Sequence, residues 1–239
     1  MKNNIYKFKI LKSQNIIHGV STKFFGSIKN NGNINKKNLK SFLDAMQVEE
    51  KSVVFPEQLH GSSVVTIDDS KKECIQNADG LITSRKNVFL GVVTADCLPV
   101  IFYDKKMGVV GIAHAGYKGI LKGILEEMIK SFKKLGSNVK DIKVSIGPSI
   151  GVCCYNVNHE RVKMFEDVFK GIKTHEKRNG KYFLDLKSNA FQVFIKNGIT
   201  KKNIQISSIC TKDNLNQFFS FRGEGKDKFG EFATVVGRI

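Results

Sequence analysis

The sequence predicts an α/β protein, one layered domain over residues 1–239 with a mixed β-sheet covered by helices. Three observations carry that reading. Between Val88 and His114 the runs V-F-L-G-V-V-T, L-P-V-I-F-Y-D and G-V-V-G-I-A-H are apolar on both faces, as strands covered on both sides must be. Directly afterwards Ile120, Ile124, Met128 and Phe132 recur at helical spacing, an amphipathic stripe suited to packing on that sheet. Further on, strand-like and helix-like segments follow one another without an internal repeat or a visible linker.

Element by element, I-Y-K-F-K-I near the N-terminus reads as a strand, and the Gly/Asn/Lys-rich stretch from Gly26 to Asn38 as a loop. L-K-S-F-L-D-A-M is a short amphipathic helix. The three apolar strands come next, with D-K-K-M-G marking a turn between the second and third. The segment from Tyr117 is a helix stopped by Gly136. I-K-V-S-I-G-P is a strand, H-E-R-V-K-M-F-E-D-V-F and K-S-N-A-F-Q-V-F-I-K-N-G are helices, and I-Q-I-S-S-I-C-T is a strand.

Composition narrows the classes of function. The formal charge is +17, from 39 Lys plus Arg against 22 Asp plus Glu, but the lysines are spread along the whole chain. No basic run is interleaved with aromatic residues, which argues against nucleic-acid binding. The charge can still steer anionic small molecules. No apolar stretch has signal-peptide or membrane-spanning character, so a soluble, cytoplasmic protein is expected. Cys74, Cys97, Cys153, Cys154 and Cys210 form an odd set without repeating spacing, which suits free thiols or metal ligands better than a disulfide framework.

Three apolar runs end in a metal-competent side chain beside a small or turn-forming residue: Q-L-H-G at His60, T-A-D-C-L-P at Cys97 and I-A-H-A-G-Y at His114. Two imidazoles and a thiolate suit Zn²⁺, and three protein ligands leave one tetrahedral position open to water or substrate. Taken singly, each residue has an ordinary packing role, a small buried hydrophobe or a histidine bonded to a carbonyl. G-P-S-I-G (147–151) matches the nucleophile-elbow string G-x-S-x-G, but no helix follows Ser149, and a Gly-Pro turn accounts for it better. The vicinal pair Cys153 and Cys154 reads as packing.

The blocks F-P-E-Q-L-H-G-S-S-V (55–64), A-D-G-L-I-T (78–83), T-A-D-C-L-P-V (94–100), H-A-G-Y-K-G (114–119) and G-P-S-I-G-V-C-C-Y-N-V (147–157) resemble, in order, the signatures of the YfiH or laccase-domain family. The resemblance extends over about residues 15 to 225. It implies an α/β/α-type fold shared with proteins classed as cysteine hydrolases, and a metal, most often Zn²⁺, at His60, Cys97 and His114. It also implies phosphorolysis of adenosine, inosine and methylthioadenosine, with deamination of adenosine. The laccase name itself fits poorly: five histidines cannot supply both a blue and a trinuclear copper centre. A lone Cu²⁺ site on the His₂Cys trio would call for a weak axial Met.

Residue roles follow as expectations. Cys97, His60 and His114 hold the metal and act in catalysis. Asp96 orients a ligand imidazole, carries a proton or simply caps a turn. Gln58 bonds the purine or ribose, and Tyr117 stacks on the base or fills the core. The chain departs from the family at Lys23, where Arg is usual, at Leu39 beside Asn38, where an Asn-Arg pair is usual, and at Tyr117, where Trp is usual. The family's T-G-R element is blurred after F-R-G-E. Lysine does not reproduce bidentate recognition of phosphate, so phosphorolysis is expected to be slow or to draw its charge from Lys23, Lys118 or Arg222. Two other classes stay open. One is a metal-independent hydrolase with Cys97 as nucleophile, acting on amide substrates in peptidoglycan quality control. The other is a basic, partner-binding protein without catalysis.

Overall fold

The computed structural model describes residues 4–30, 32–68 and 74–239. Two six-stranded mixed sheets lie face to face. The first runs Ile5–Tyr6, Ile16–Ser21, Phe232–Arg238, Phe89–Thr94, Val53–Pro56, Cys74–Ile75, antiparallel up to Phe89–Thr94 and parallel beyond it. The second runs Ile204–Ile206, Lys143–Ile146, Leu98–Asp104, Val109–Ala115, Gly80–Thr83, Val64–Thr66, antiparallel at its centre with a parallel pair at each edge.

The α/β class with mixed strands and covering helices is as the sequence implies, but the single expected sheet is two. Alternation along each strand explains both facts. Leu90, Val92 and Val236 face inward and meet Ile101, Tyr103, Val110 and Ile112 of the opposing sheet. Their neighbours Phe89, Val93 and Val235 face outward and are covered by Leu39, Phe42, Leu43 and Met46 of the helix Lys36–Met46. On the other side Val100, Phe102 and Val144 are covered by Met128 and Phe132 of Ile124–Lys134 and by Phe194 of Leu186–Lys196. A strand buried on both faces has the same apolar pattern whether its second cover is a helix or another sheet. Each such side chain contributes roughly 1.5–3 kcal/mol on burial.

Other elements refine the sequence reading. The N-terminal strand pairs only at Ile5–Tyr6, and a tight turn follows at Lys9–Leu11. The expected loop holds a small hairpin, Lys29–Asn30 with Asn33–Ile34; Asn31 lies outside the described residues. The helix expected from Tyr117 is two, Tyr117–Leu121 and Ile124–Lys134, broken at Gly123, whose φ of 85° is left-handed. The stop at Gly136 stands: its N–H reaches the Lys133 carbonyl, and the Ser137 N–H reaches that of Phe132. Among the described residues no helix is long and apolar enough to cross a membrane.

One buried imidazole makes the fold acid-sensitive. His18 Nε2 accepts the Phe8 N–H at 2.9 Å, and its Nδ1 has no partner among the described residues. Burial, then nearby Lys7, lowers the His18 pKa to about 4. The unfolded chain therefore takes up this proton near pH 6.5 while the folded one does not until about pH 4. Stability falls as pH drops through that window, by about 3 kcal/mol in total. Urea unfolding from pH 7 to 4.5 should show this slope, and the His18→Gln protein should lose about that share of it. Equal pH dependence in both proteins would refute the assignment.

Candidate active site

Two chain crossings between the sheets build the site. The T-A-D-C turn carries the chain from Phe89–Thr94 in the first sheet to Leu98–Asp104 in the second, and residues 57–63 likewise join Val53–Pro56 to Val64–Thr66. Cys97 and His60 sit on these crossings. His114 is the penultimate residue of Val109–Ala115 and shares the face of Val110 and Ile112 that looks toward the first sheet. The three side chains therefore converge where the two sheets open at one end. Their ligand atoms all lie within 4.8 Å of one another, with His60 Nε2 at 3.8 Å from Cys97 Sγ. The two imidazoles meet edge to face, with ring centroids 4.6 Å apart.

Asp79, which the sequence reading passed over, organises this cluster. Its Oδ1 accepts from His114 Nδ1 at 2.8 Å and from the His60 N–H at 3.0 Å. Its Oδ2 accepts the N–H groups of Gly61 at 2.6 Å and Leu59 at 3.1 Å. Four donors on one buried carboxylate fix the His114 ring with Nε2 turned away from Asp79. They also hold the Q-L-H-G turn, in which His60 takes a left-handed φ of 57° that costs a non-glycine residue about 1–3 kcal/mol. Burial works against the Asp79 charge, yet the His114 bond and the amides of Gly61 and Leu59 hold its carboxyl below the usual range.

Asp96 does something else. It accepts from Thr211 Oγ1 at 2.6 Å, Ser220 Oγ at 2.7 Å and the Arg222 N–H at 2.7 Å. It bonds neither imidazole: adjacency to Cys97 in sequence is undone by its φ of 90°, which turns the carboxylate toward the C-terminal segment. The orienting carboxylate is Asp79, and Asp96 ties the T-A-D-C turn to the segment that carries Arg222. Lys23 belongs to the same network, since its ammonium meets Glu224 Oε1 at 2.7 Å and Glu224 Oε2 accepts the Ser220 N–H at 2.9 Å.

The cluster opens into a cavity of about 550 Å³. Gln58 lines it, but both ends of its amide are bonded to the Val93 backbone, at 2.8 and 2.9 Å, so it acts first as a brace between the crossings. Tyr117 lines it with the Arg161 guanidinium 4.0 Å from its ring centroid. Arg222 lines it 5.1 Å from the Tyr155 ring. Of the three expected cations only Arg222 reaches the cavity; Lys23 is paired with Glu224 and Lys118 is exposed outside the lining. Arg161, Lys29 and Glu231 are lining residues that sequence reasoning missed. They come from a helix, a small hairpin and the approach to the last strand, and nothing in their local sequence marks them. Burial raises the Glu231 carboxyl, against the opposing pull of Lys29 and the two site imidazoles.

Charge is strongly coupled within the cluster. Burial pushes the Cys97 thiol up, but His114 and then His60 outweigh it and bring it down to about 7. Burial lowers His114, and the Cys97 and Asp79 charges more than reverse this, raising it to about 9. The H-A-G glycine has a steric purpose: a Cβ on Gly116 would lie 2.8 Å from His60 Cδ2 and 2.9 Å from Cys97 Sγ. Ser149 is fully buried and its hydroxyl donates to the Gly147 carbonyl, so G-P-S-I-G is a packed turn with no exposed nucleophile.

The chain is similar to several known proteins. Purine nucleoside phosphorylase YlmD of Bacillus subtilis is 33% identical over 236 residues, covering 92% of this chain and 84% of the relative. Adenosine deaminase RL5, from an unknown prokaryotic organism, is 30% identical over 194 residues, 76% of this chain and 74% of the relative. The crystal structure of YlmD from Geobacillus stearothermophilus superposes with a TM-score of 0.91 at 24% identity, over 100% of this chain and 97% of that one. That of YfiH from Bacillus licheniformis gives 0.86 at 28% identity, over 98% and 99%. A family model matches residues 19–239, and the chain belongs to the family it describes, the multi-copper polyphenol oxidoreductase laccase family.

Proposed function

We propose that this protein is a zinc-dependent purine nucleoside enzyme that cleaves adenosine, inosine and methylthioadenosine with phosphate and deaminates adenosine. The observation that carries the reading is the convergence of His60, Cys97 and His114 at the mouth of an aromatic and cationic cavity. The names of the relatives, purine nucleoside phosphorylase and adenosine deaminase, supply the substrate class. The donor set fits Zn²⁺: two imidazoles and a thiolate, with His114 Nε2 left available because Nδ1 is committed to Asp79. Copper fits less well, since no methionine is among the described residues lining the cavity to serve as the weak axial ligand.

A Zn²⁺ held by His60, Cys97 and His114 would supply Lewis acidity, polarising an oxygen or lowering the pKa of a water. The remaining work falls to the chain. Tyr117, Tyr155, Phe221 and Phe229 offer apolar faces for a purine. Arg161 and Arg222 stack on the Tyr117 and Tyr155 rings and keep guanidinium donors for phosphate: among the described residues their side chains make only two long bonds, from Arg161 to the Tyr117 and Tyr155 hydroxyls, and one from Arg222 to the Asn156 carbonyl. They compensate for the lysine at position 23. Glu231, raised by burial, is the cavity carboxyl suited to carry a proton to or from the base.

A nucleoside panel with product identification tests this. Zinc-replete protein should release free base and pentose 1-phosphate only when phosphate is present, and should convert adenosine to inosine with or without it. Base release that ignores phosphate would sink phosphorolysis, and no turnover of any purine nucleoside would sink the reading as a whole, leaving a partner-binding role. One observation favours a second reading. Cys97, its thiol lowered by His114 and then His60, lies within 4.8 Å of the His114 ligand nitrogen, and His114 Nδ1 is bonded to Asp79, an arrangement that suits a thiol hydrolase for amide bonds such as those in peptidoglycan precursors. Full activity after chelation would select it.

A further inference from the structure

The vicinal cysteines, read from sequence as packing, are part of a second constellation. Cys153 Sγ lies 3.0 Å from Asp213 Oδ2 and Cys154 Sγ 2.8 Å from Asp213 Oδ1. Cys210 supplies a third sulfur, and the donor atoms of all four residues lie within 4.8 Å of one another. Adjacent residues of an extended segment would point to opposite sides; a turn over 152–154 sends both thiols the same way. Gly151 makes the approach feasible, since a Cβ there would stand 2.9 Å from Cys153 Sγ and 3.3 Å from Cys210 Cβ.

We propose that Cys153, Cys154, Cys210 and Asp213 form a second, structural Zn²⁺ site, separate from the His60, Cys97 and His114 cluster. Four protein ligands close the tetrahedron, so this ion braces the fold and does no chemistry on substrate. Three thiolates with one harder carboxylate suit Zn²⁺ better than Cu⁺, which favours sulfur alone. Binding releases the three thiol protons to solvent and leaves a unit of net charge −2.

The surroundings match that charge. Lys187 Nζ is fixed at the site by the Ser207 and Ile209 carbonyls, both at 2.8 Å, and the Arg178 guanidinium holds the Val152 and Cys153 carbonyls. The Gly151 N–H donates to Cys210 Sγ at 3.3 Å, a bond that steadies a thiolate ligand. A cleft of about 500 Å³ bordered by Cys153, Lys187 and Cys210 gives the ion access.

The brace lies directly behind the substrate cavity. The Ser149–Cys210 bridge joins the two ligand segments, Thr211 donates to Asp96, and the Ile150 N–H reaches the Asp96 carbonyl at 3.0 Å. A cation linking 153–154 to 210–213 therefore stiffens the wall against which the T-A-D-C turn is held.

The test is a zinc count that needs no substrate, so it stands or falls apart from the nucleoside reading. Metal-free full-length protein is titrated with Zn²⁺, with Co²⁺ absorption as the report on thiolate ligation. The Cys97→Ala protein should keep one equivalent with an intense thiolate-to-Co²⁺ band and gain thermal stability with Zn²⁺. Adding Cys154→Ser and Asp213→Asn to it should abolish both. A Cys97→Ala protein that binds no Zn²⁺, or a triple variant that still binds one, overturns the proposal. Should the triple variant fail to fold, peptide mass spectrometry of the unmutated chain decides. Zn²⁺ should slow alkylation of Cys153 and Cys154 at least about tenfold, and unchanged alkylation overturns the site.

Discussion

Asp79→Asn should cripple the site with almost no change in shape. Each Asp79 oxygen accepts two donors, Oδ1 from His60 N and His114 Nδ1 and Oδ2 from Leu59 N and Gly61 N. An asparagine has one accepting oxygen. Whichever way its amide turns, the NH₂ group faces two N–H donors: those of Leu59 and Gly61 in one orientation, those of His60 and His114 in the other. A buried donor left without an acceptor costs about 1–3 kcal/mol, so the two together cost about 4 kcal/mol. The loss falls on the turn that keeps His60 at its left-handed φ and on the ring that presents His114 Nε2. Zinc affinity at this site should drop about 10–100-fold, with kcat falling in step and a lower Tm. Competition with a metal indicator and thermal melts measure both. Unchanged zinc affinity and Tm in the Asp79→Asn protein would show that Asp79 does not organise the cluster.

That prediction turns on a residue the sequence did not expose, and the reason is physical. His60, Cys97 and His114 were legible because each ends an apolar run beside a turn residue, where a side chain can leave the core for an opening. Asp79 stands just before the strand Gly80–Thr83, 18 to 20 residues from the turn it organises and 35 from His114. No local pattern announces such partners. Asp96 misled for the opposite reason: it is next to Cys97 in the chain, yet its φ of 90° takes its carboxylate to Thr211 and Ser220. Strand alternation gave the doubly buried runs, while the second sheet stayed hidden because Leu90 against Ile112 has the same apolar signature as Leu90 against a helix. Arg161 was invisible as a site residue because only the tertiary packing of the helix His159–Val168 brings it over Tyr117.

Cys97→Ala is the substitution with the largest expected effect. Zinc at the His60–His114 cluster should be lost, and kcat/KM for adenosine should fall by about 10³-fold or more, because two neutral imidazoles alone hold the ion weakly and its Lewis acidity goes with it. Both that zinc mechanism and the thiol-hydrolase mechanism lose activity here, so the discriminating measurement is made on the unmutated chain after chelation. In that state Cys97 is held near 7 by His114 and His60 against the cost of burial. Its alkylation by iodoacetamide should rise through pH 7 and level off above it, whereas an ordinary thiol rises toward pH 9. His114→Ala should move that midpoint upward, since the larger of the two lowering charges is removed. A thiolate present at neutral pH, with no turnover until zinc is restored and with Cys97 alkylation blocked by that zinc, assigns Cys97 to the metal. Turnover in the chelated protein that follows the same rise through pH 7 assigns it to the nucleophile, and the zinc-dependent reading would then fall.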